Sequence, residues 1–166
     1  MSIAEILLAD FDIEIANTRR TLERIPEKDS QWKPHEKSMA IGRLALHVAR
    51  LPQFCTRILT SPELNMAKEK FPDFIFESTA HLHTELENTA SEAKDHLTSA
   101  SDEYLMQPWQ LSFGDRVIVK APRVLLYRTM FLNHLIHHRA QLGVYLRLLQ
   151  MPVPGLYGPS ADEPFN

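Results

Sequence analysis

The sequence predicts an all-α fold: a four-helix bundle with a short β-hairpin or extended loop between its third and fourth helices and an extended C-terminal tail. Three observations point there. Four long segments repeat apolar residues at the spacing of an α-helix. Only five glycines stand against eleven prolines, and the prolines fall mostly between those segments, as they do where helices are separated by hard stops. Hydrophobic residues make up 44% of 166 positions and charged residues 23%, enough apolar side chain for one core, so residues 1–166 are read as a single domain.

The first helix starts at Ser2, where Ser2-Ile3-Ala4-Glu5 spells a capping box, and runs to about residue 24, ahead of Pro26. Its main stripe is Leu7, Phe11, Ile15 and Leu22, and Ile6 and Ile13 lie nearly opposite. A second apolar strip on a bundle helix points to an interface, and a two-fold homodimer is the commonest form. A connector, residues 28–37, carries Trp32 and Pro34. Ser38 is placed to cap a second helix that runs to Thr60 and is closed by Ser61-Pro62. Pro52 inside it removes the hydrogen bond to the Val48 carbonyl, which predicts a kink one turn after His47.

Residues 62–76 are mixed, with Pro62, Pro72 and the aromatic group Phe71, Phe74 and Phe76. A third helix is read over about 78–100, with Leu82, Leu86, Ala90, Ala93 and Leu97 on one stripe. From Gln107 to Lys120, Trp109-Gln110-Leu111 and Val117-Ile118-Val119 flank Phe113-Gly114-Asp115-Arg116, the pattern of a hairpin or extended loop. Pro122 suits the first turn of a long fourth helix ending near residue 150. The Pro- and Gly-rich tail, 152–166, is read as an extended strap or a frayed end.

Composition removes several classes of function. A formal net charge of −3 gives no electrostatic reason to expect nucleic acid or an anionic membrane surface. A single cysteine, Cys55, forms no internal disulfide and fits a reducing compartment. The chain shows neither the order of a signal peptide nor an apolar run long enough to span a bilayer, so a cytoplasmic location is expected.

The chemistry concentrates in Asn133-His134-Leu135-Ile136-His137-His138-Arg139-Ala140-Gln141-Leu142. Imidazole titrates near neutral pH and is the commonest metal ligand among side chains. Advancing about 100° per residue places Tyr127, Met130, Phe131, His134, His138, Gln141, Tyr145, Leu148 and Leu149 within roughly 60° of one direction. His134 and His138 are then inward and one turn apart, able to aim two ring nitrogens at one point. His137 lies at the stripe's edge, and its pairing with His134 at i,i+3 stays open. On helix 2, His47 shares a face with Ala40, Leu44, Leu51, Phe54 and Ile58. The expected metal ligands are His47, His134 and His138.

On the same face as the pair, Tyr127, Gln141 and Tyr145 are candidate substrate-binding residues, with core packing the blander role for the two tyrosines. Arg139 and Arg147 project away from the stripe toward solvent or a partner helix. Cys55 reads as a small core residue, and Asp162 and Glu163 as tail charges. The zincin H-E-x-x-H is absent because Leu135 follows His134, and the inverted H-x-x-E-H is absent because His137 stands where Glu is required.

The block 133–142, followed by Tyr145-Leu146-Arg147, Pro152-Val153-Pro154 and Tyr157-Gly158-Pro159-Ser160-Ala161-Asp162-Glu163, resembles the DinB-like superfamily. These are bacterial damage-inducible-type and YfiT-like proteins, unrelated in fold to the translesion polymerase that shares the name. Trp32-Lys33-Pro34, Lys37-Ser38 and His47 extend the resemblance over nearly the whole chain. One mild departure is Ala140, where many members carry glycine. The resemblance implies a four-helix bundle, frequent homodimers and a divalent metal, often zinc or nickel, on three histidines that match His47, His134 and His138. Characterised relatives include thiol-dependent S-transferases and a maleylpyruvate isomerase that uses a low-molecular-weight thiol. Three functions are therefore carried forward: a metal-dependent transferase that activates a small thiol against an electrophile, a metal-dependent hydrolase, and a non-enzymatic stress-related binding protein.

Overall fold

A computed structural model describes residues 1–165; Asn166, the last position of the predicted tail and domain, lies outside the described residues. Helix α1 (Ile3–Leu22) opens on the expected capping box. Ser2 Oγ accepts from the Glu5 amide at 3.1 Å, and the Glu5 carboxylate accepts from the Ser2 amide at 2.6 Å. Leu7, Phe11, Ile15 and Leu22 are buried.

Helix α2 (Ile41–Arg50) starts after Ala40 with no side-chain cap, so Ser38 does not have the capping role the sequence suggested. The connector does this work with its backbone: the Ile41 amide donates to Trp32 O at 2.8 Å and the Gly42 amide to Ser30 O at 2.9 Å. Helix N-termini expose amides that need such partners. Gly42 also admits Phe76, whose Cγ and Cβ lie 2.8 and 2.9 Å from where a Cβ on Gly42 would stand. At Pro52 the expected kink is a full break, with α2 ending at Arg50 and α3 (Pro52–Thr60) beginning on the proline itself, which supplies no amide to the ladder.

The fold is mostly helical but not all-α. A three-stranded sheet runs in the order β1 (Glu63–Asn65), β2 (Pro108–Phe113), β3 (Arg116–Pro122), with β1 parallel to β2 and β2 antiparallel to β3. The hairpin lies where the sequence placed it; β1, three residues long, is too short to show an alternating pattern. Gly114 turns the hairpin with φ 59°, a left-handed conformation that suits glycine, and the Asn65 side chain clamps its backbone: Nδ2 donates to Gly114 O at 2.9 Å and the Gly114 amide donates to Oδ1 at 3.1 Å. Trp109 and Leu111 pack with Ile58, Leu64 and Leu126 in a small second core.

Helix α4 (Thr79–Ser99) is capped by Ser78 and buries Leu82, Leu86, Ala90, Ala93 and Leu97. It packs along α1, α2 and α3, while a short α5 (Asp102–Met106) leads into the hairpin. The predicted last helix comes in three pieces: α6 (Arg123–Leu126), a π-helical turn (Tyr127–Leu132) and α7 (Asn133–Leu148). In the wide turn the Asn133 amide bonds to Arg128 O, five residues back. One extra residue in a turn rotates everything after it by about 100° relative to an unbroken α-helix.

That rotation re-phases the helix. Tyr127 and Phe131 continue into Leu135, Arg139, Leu142 and Leu146 as the most buried line. The predicted stripe, in contrast, splits after the turn. His134, His138, Gln141 and Tyr145 are only half-buried, and Leu148 is 54% exposed. Arg139, expected to project away from the stripe toward solvent or a partner helix, is 2% exposed and reaches Glu14 on α1.

The tail is a strap rather than a frayed end. Asp162 accepts from Arg147 at 2.6 Å and from the Val153 amide at 2.8 Å, and Glu163 takes Arg20, Arg24 and the Gly155 amide. Asp162 and Glu163 are thus anchors, not loose tail charges. Among the described residues no helix is long and apolar enough to cross a membrane.

Candidate metal centre

Helix α2 lies against α7, which brings His47 onto the side of α7 that carries His134 and His138. The three rings converge through one edge. His134 Nε2 lies 2.9 Å from His138 Nε2 and 3.4 Å from His47 Nε2. The three ligand atoms all lie within 4.8 Å of one another, and among the described residues the group contains no carboxylate or thiol.

The opposite ring nitrogens of two of them are committed elsewhere. His138 Nδ1 donates to Gln141 Oε1 at 2.7 Å, and His134 Nδ1 donates to the Met130 carbonyl at 3.3 Å, inside the π turn. A neutral imidazole with its proton on Nδ1 presents a lone pair at Nε2. Two such lone pairs therefore face each other at 2.9 Å, with the His47 edge beside them. They repel unless something positive lies between them.

Burial, foremost, disfavours the protonated form of all three rings. It pushes His47 down to about 4, helped by His138, His134 and Arg43. Burial likewise lowers His134, with His138 adding to it, and lowers His138, with His137 adding to it; the Met130 and Gln141 hydrogen bonds act in the opposite sense. Neutral imidazole is the form that binds metals.

The donor set fits a divalent cation. Nitrogens about 2.0–2.1 Å from one zinc at tetrahedral angles sit roughly 3.3–3.4 Å apart, close to the 3.4 Å and 2.9 Å separations here. Gln141 and the Met130 carbonyl are the partners that orient ligand rings in such sites. Phe54 and Phe74 flank the group, with centroids 6.1 Å from His134 and 5.7 Å from His47. Both also wall a cleft of about 420 Å³ that His47 lines.

A profile of the DinB family matches residues 4–164. The chain belongs to the DinB family. Three solved structures of DinB-like proteins share the fold. One from Bacillus cereus is 20% identical with a TM-score of 0.68, covering 90% of this chain and 95% of its own. YjoA from Bacillus subtilis is 19% identical with a TM-score of 0.69, covering 89% and 94%. A DinB-family protein from Exiguobacterium sibiricum is 20% identical with a TM-score of 0.62, covering 90% and 93%. No curated protein matches the chain.

Within this DinB-family chain the other predicted site residues divide. Gln141 touches His138. Tyr145 packs edge-on against Trp32 at 5.7 Å, one turn beyond Gln141. Tyr127 is corrected to a core residue: it is 0% exposed and its hydroxyl donates to Leu7 O at 3.1 Å. Burial raises its pKa above the ordinary phenol range. His137 is exposed and meets His138 edge-on, with its centroid 4.9 Å away. Cys55 is fully buried, and burial pushes its thiol up, away from the thiolate form. The sequence reading passed over Arg43, although its place four residues before His47 puts it on the same face. It also passed over the Met130 carbonyl, which side-chain patterns do not reveal.

Proposed function

We propose that this protein binds a divalent metal, zinc or nickel, through His47, His134 and His138, and uses it as a transferase that sets a small thiol against an electrophile. One observation carries this reading: the Nε2 atoms of three histidines converge on one point, with no carboxylate or thiol joining them among the described residues, while Nδ1 of His134 and His138 are committed outward. A cation held there supplies the positive charge that lowers the pKa of a bound thiol or water. Three histidines leave room for such a ligand, as catalytic sites do.

The thiol is favoured over water by what surrounds the site. No carboxylate joins the histidines among the described residues, so a nucleophile must lose its proton with little help from a base. A thiol, with a pKa near 8.5, needs a far smaller shift than water at about 15.7. Cys55, buried with a raised pKa, is unsuited to be that thiol, so the thiol comes from a small molecule. The 420 Å³ cleft at His47 has the size of a small-ligand site, which favours an enzyme over a purely structural metal protein. Gln141 and the Met130 carbonyl hold the ligand rings in orientation, and Phe54 and Phe74 keep water from the flanks.

The helices framing the site are read as the four arms of a bundle: α1, α2 with α3, α4, and the α6-to-α7 run. The exposed Ile6 and Ile13, 48% and 56% accessible, support a homodimer through α1.

Metal analysis of the purified protein tests the site. The wild type is expected to carry close to one equivalent and His134→Ala almost none; equal content in both overturns the proposal. Turnover of generic electrophiles with and without added small thiols then separates the reactions. Thiol-dependent turnover supports the transferase, and thiol-independent ester cleavage replaces it with a hydrolase.

A further inference from the structure

The cleft beside His47 has an uneven charge distribution. Its floor is apolar, with Met39, Leu51, Phe54 and Phe74 among its lining, and its rim carries four cations, Arg43, Arg50, Arg57 and Lys70, against one carboxylate, Glu69. Two of those cations are already engaged. Arg50 Nε donates to Glu85 at 2.5 Å and its Nη1 to Asp73 O at 3.1 Å, and Arg57 pairs with Glu69 at 3.4 Å. Arg43 and Lys70 form no ion pair among the described residues.

Their placement is not that of scattered surface charges. Arg43, His47, Arg50, Phe54 and Arg57 recur at steps of four, three, four and three residues, and all five line the cleft from α2 and α3. Arg43 stands one turn from His47. Lys70 comes from the β1–α4 loop and lines the same cleft, with Phe71 and Pro72 beside it in sequence. This loop is tied down by Arg50 on Asp73 O and by Phe76 against Gly42. In a chain of net charge −3, two uncommitted cations from two separate elements thus line one mostly apolar cleft.

We infer that this cleft binds a small amphiphilic carboxylate, with its apolar body on Phe54 and Phe74 and its carboxylate between Arg43 and Lys70. Guanidinium takes a carboxylate through two parallel hydrogen bonds, and the ammonium adds a point charge. His47 lines the same cleft one turn from Arg43, so the other end of such a molecule has the histidines beside it. The inference deepens the thiol-transfer reading by naming the substrate class. It rests on that reading for what the far end does, not for whether the carboxylate binds.

The test uses chelator-stripped full-length protein and a matched pair of probes, naphthoate and naphthamide, titrated by calorimetry. Naphthoate is expected to bind about tenfold more tightly than naphthamide, one charge-assisted contact's worth of discrimination. Arg43→Gln is expected to remove most of that preference and Lys70→Gln a smaller part, with naphthamide affinity unchanged. Rising salt should weaken naphthoate alone. Thermal melts check the fold of each variant, and both positions are exposed and unpaired, so the melts should coincide with the wild type. Equal affinity for the two probes, no binding of either, or a preference that survives both substitutions overturns the inference. Because no metal is present, a positive result stands even if metal analysis fails, and a negative one leaves the metal site untouched.

Discussion

Helix α7 carries two polar insertions on neighbouring faces, and they are finished in opposite ways. On one face Arg139 is buried against α1 and the tail. It pairs with the Glu14 carboxylate, donates to Glu14 O at 2.9 Å and Thr18 Oγ1 at 3.1 Å, and meets the Tyr157 hydroxyl, which itself donates to Glu14 at 2.6 Å. On the other face the three histidines point their Nε2 atoms at one another, with no carboxylate or thiol among them in the described residues. The arginine cluster is complete within the chain; the histidine cluster has the donor set to hold a cation from outside. A buried polar group satisfied by its own protein reads as architecture. One left with converging, unsatisfied acceptors reads as a binding site.

The largest expected effect breaks the complete side. Arg139→Ala leaves Glu14 buried without its partner, a change that costs about 3–5 kcal/mol. Denaturant unfolding should show that loss, while metal content per folded molecule stays at the wild-type level. A loss below about 1 kcal/mol would mean the cluster is not the structural element described.

The open side should respond the other way around. Metal at about a hundredfold excess over its Kd stabilises the wild type by roughly 2.7 kcal/mol, seen as a rise in Tm that chelator reverses. His134→Ala should abolish that rise and change metal-free stability by less than about 1 kcal/mol. A metal-induced rise that persists in the variant would move the site elsewhere.

A smaller effect concerns pH in the metal-free protein. His47 titrates near 4 in the folded state, and His134 and His138 are also lowered from 6.5. Between those values the unfolded chain binds protons that the folded chain does not, so stability falls as pH drops from about 6.5 toward 4. It should be flat, from these groups, above about 7. Unfolding curves across that window check the slope, and His47→Gln should reduce it, leaving the part that His134 and His138 contribute. The smallest effect is Tyr157→Phe, which removes one hydroxyl from the arginine cluster and should cost about 1 kcal/mol, with no change in metal content.

How much of this was legible in the sequence depended on whether a feature lies within one regular helix. The stripe of α4 and the capping box of α1 were readable because each is a local, periodic pattern. His47, His134 and His138 were picked correctly as residues that meet, since α2 and α7 pack side by side. Their surroundings were not readable in the same way. Projection assumed an unbroken α-helix from Pro122 onward, whereas the π turn at Tyr127–Leu132 resets the phase. That is why Arg139 was assigned to the outside and Leu148 to the inside. Ser38 lost its cap to backbone partners at Ser30 and Trp32, and β1 pairs with a strand more than forty residues away. Such contacts are set by tertiary packing, which no local window contains.

The wide turn has one more consequence, for insertions and deletions rather than substitutions. Removing a single residue between positions 127 and 132 would leave every histidine in place in the sequence yet swing α7 by about a quarter-turn. The histidines would then turn away from His47 without any of them being mutated. A relative built without the extra residue would show it in an alignment as a one-residue gap ahead of Asn133. Its two halves on either side of that gap would be out of step in helical phase, though each looked unremarkable alone.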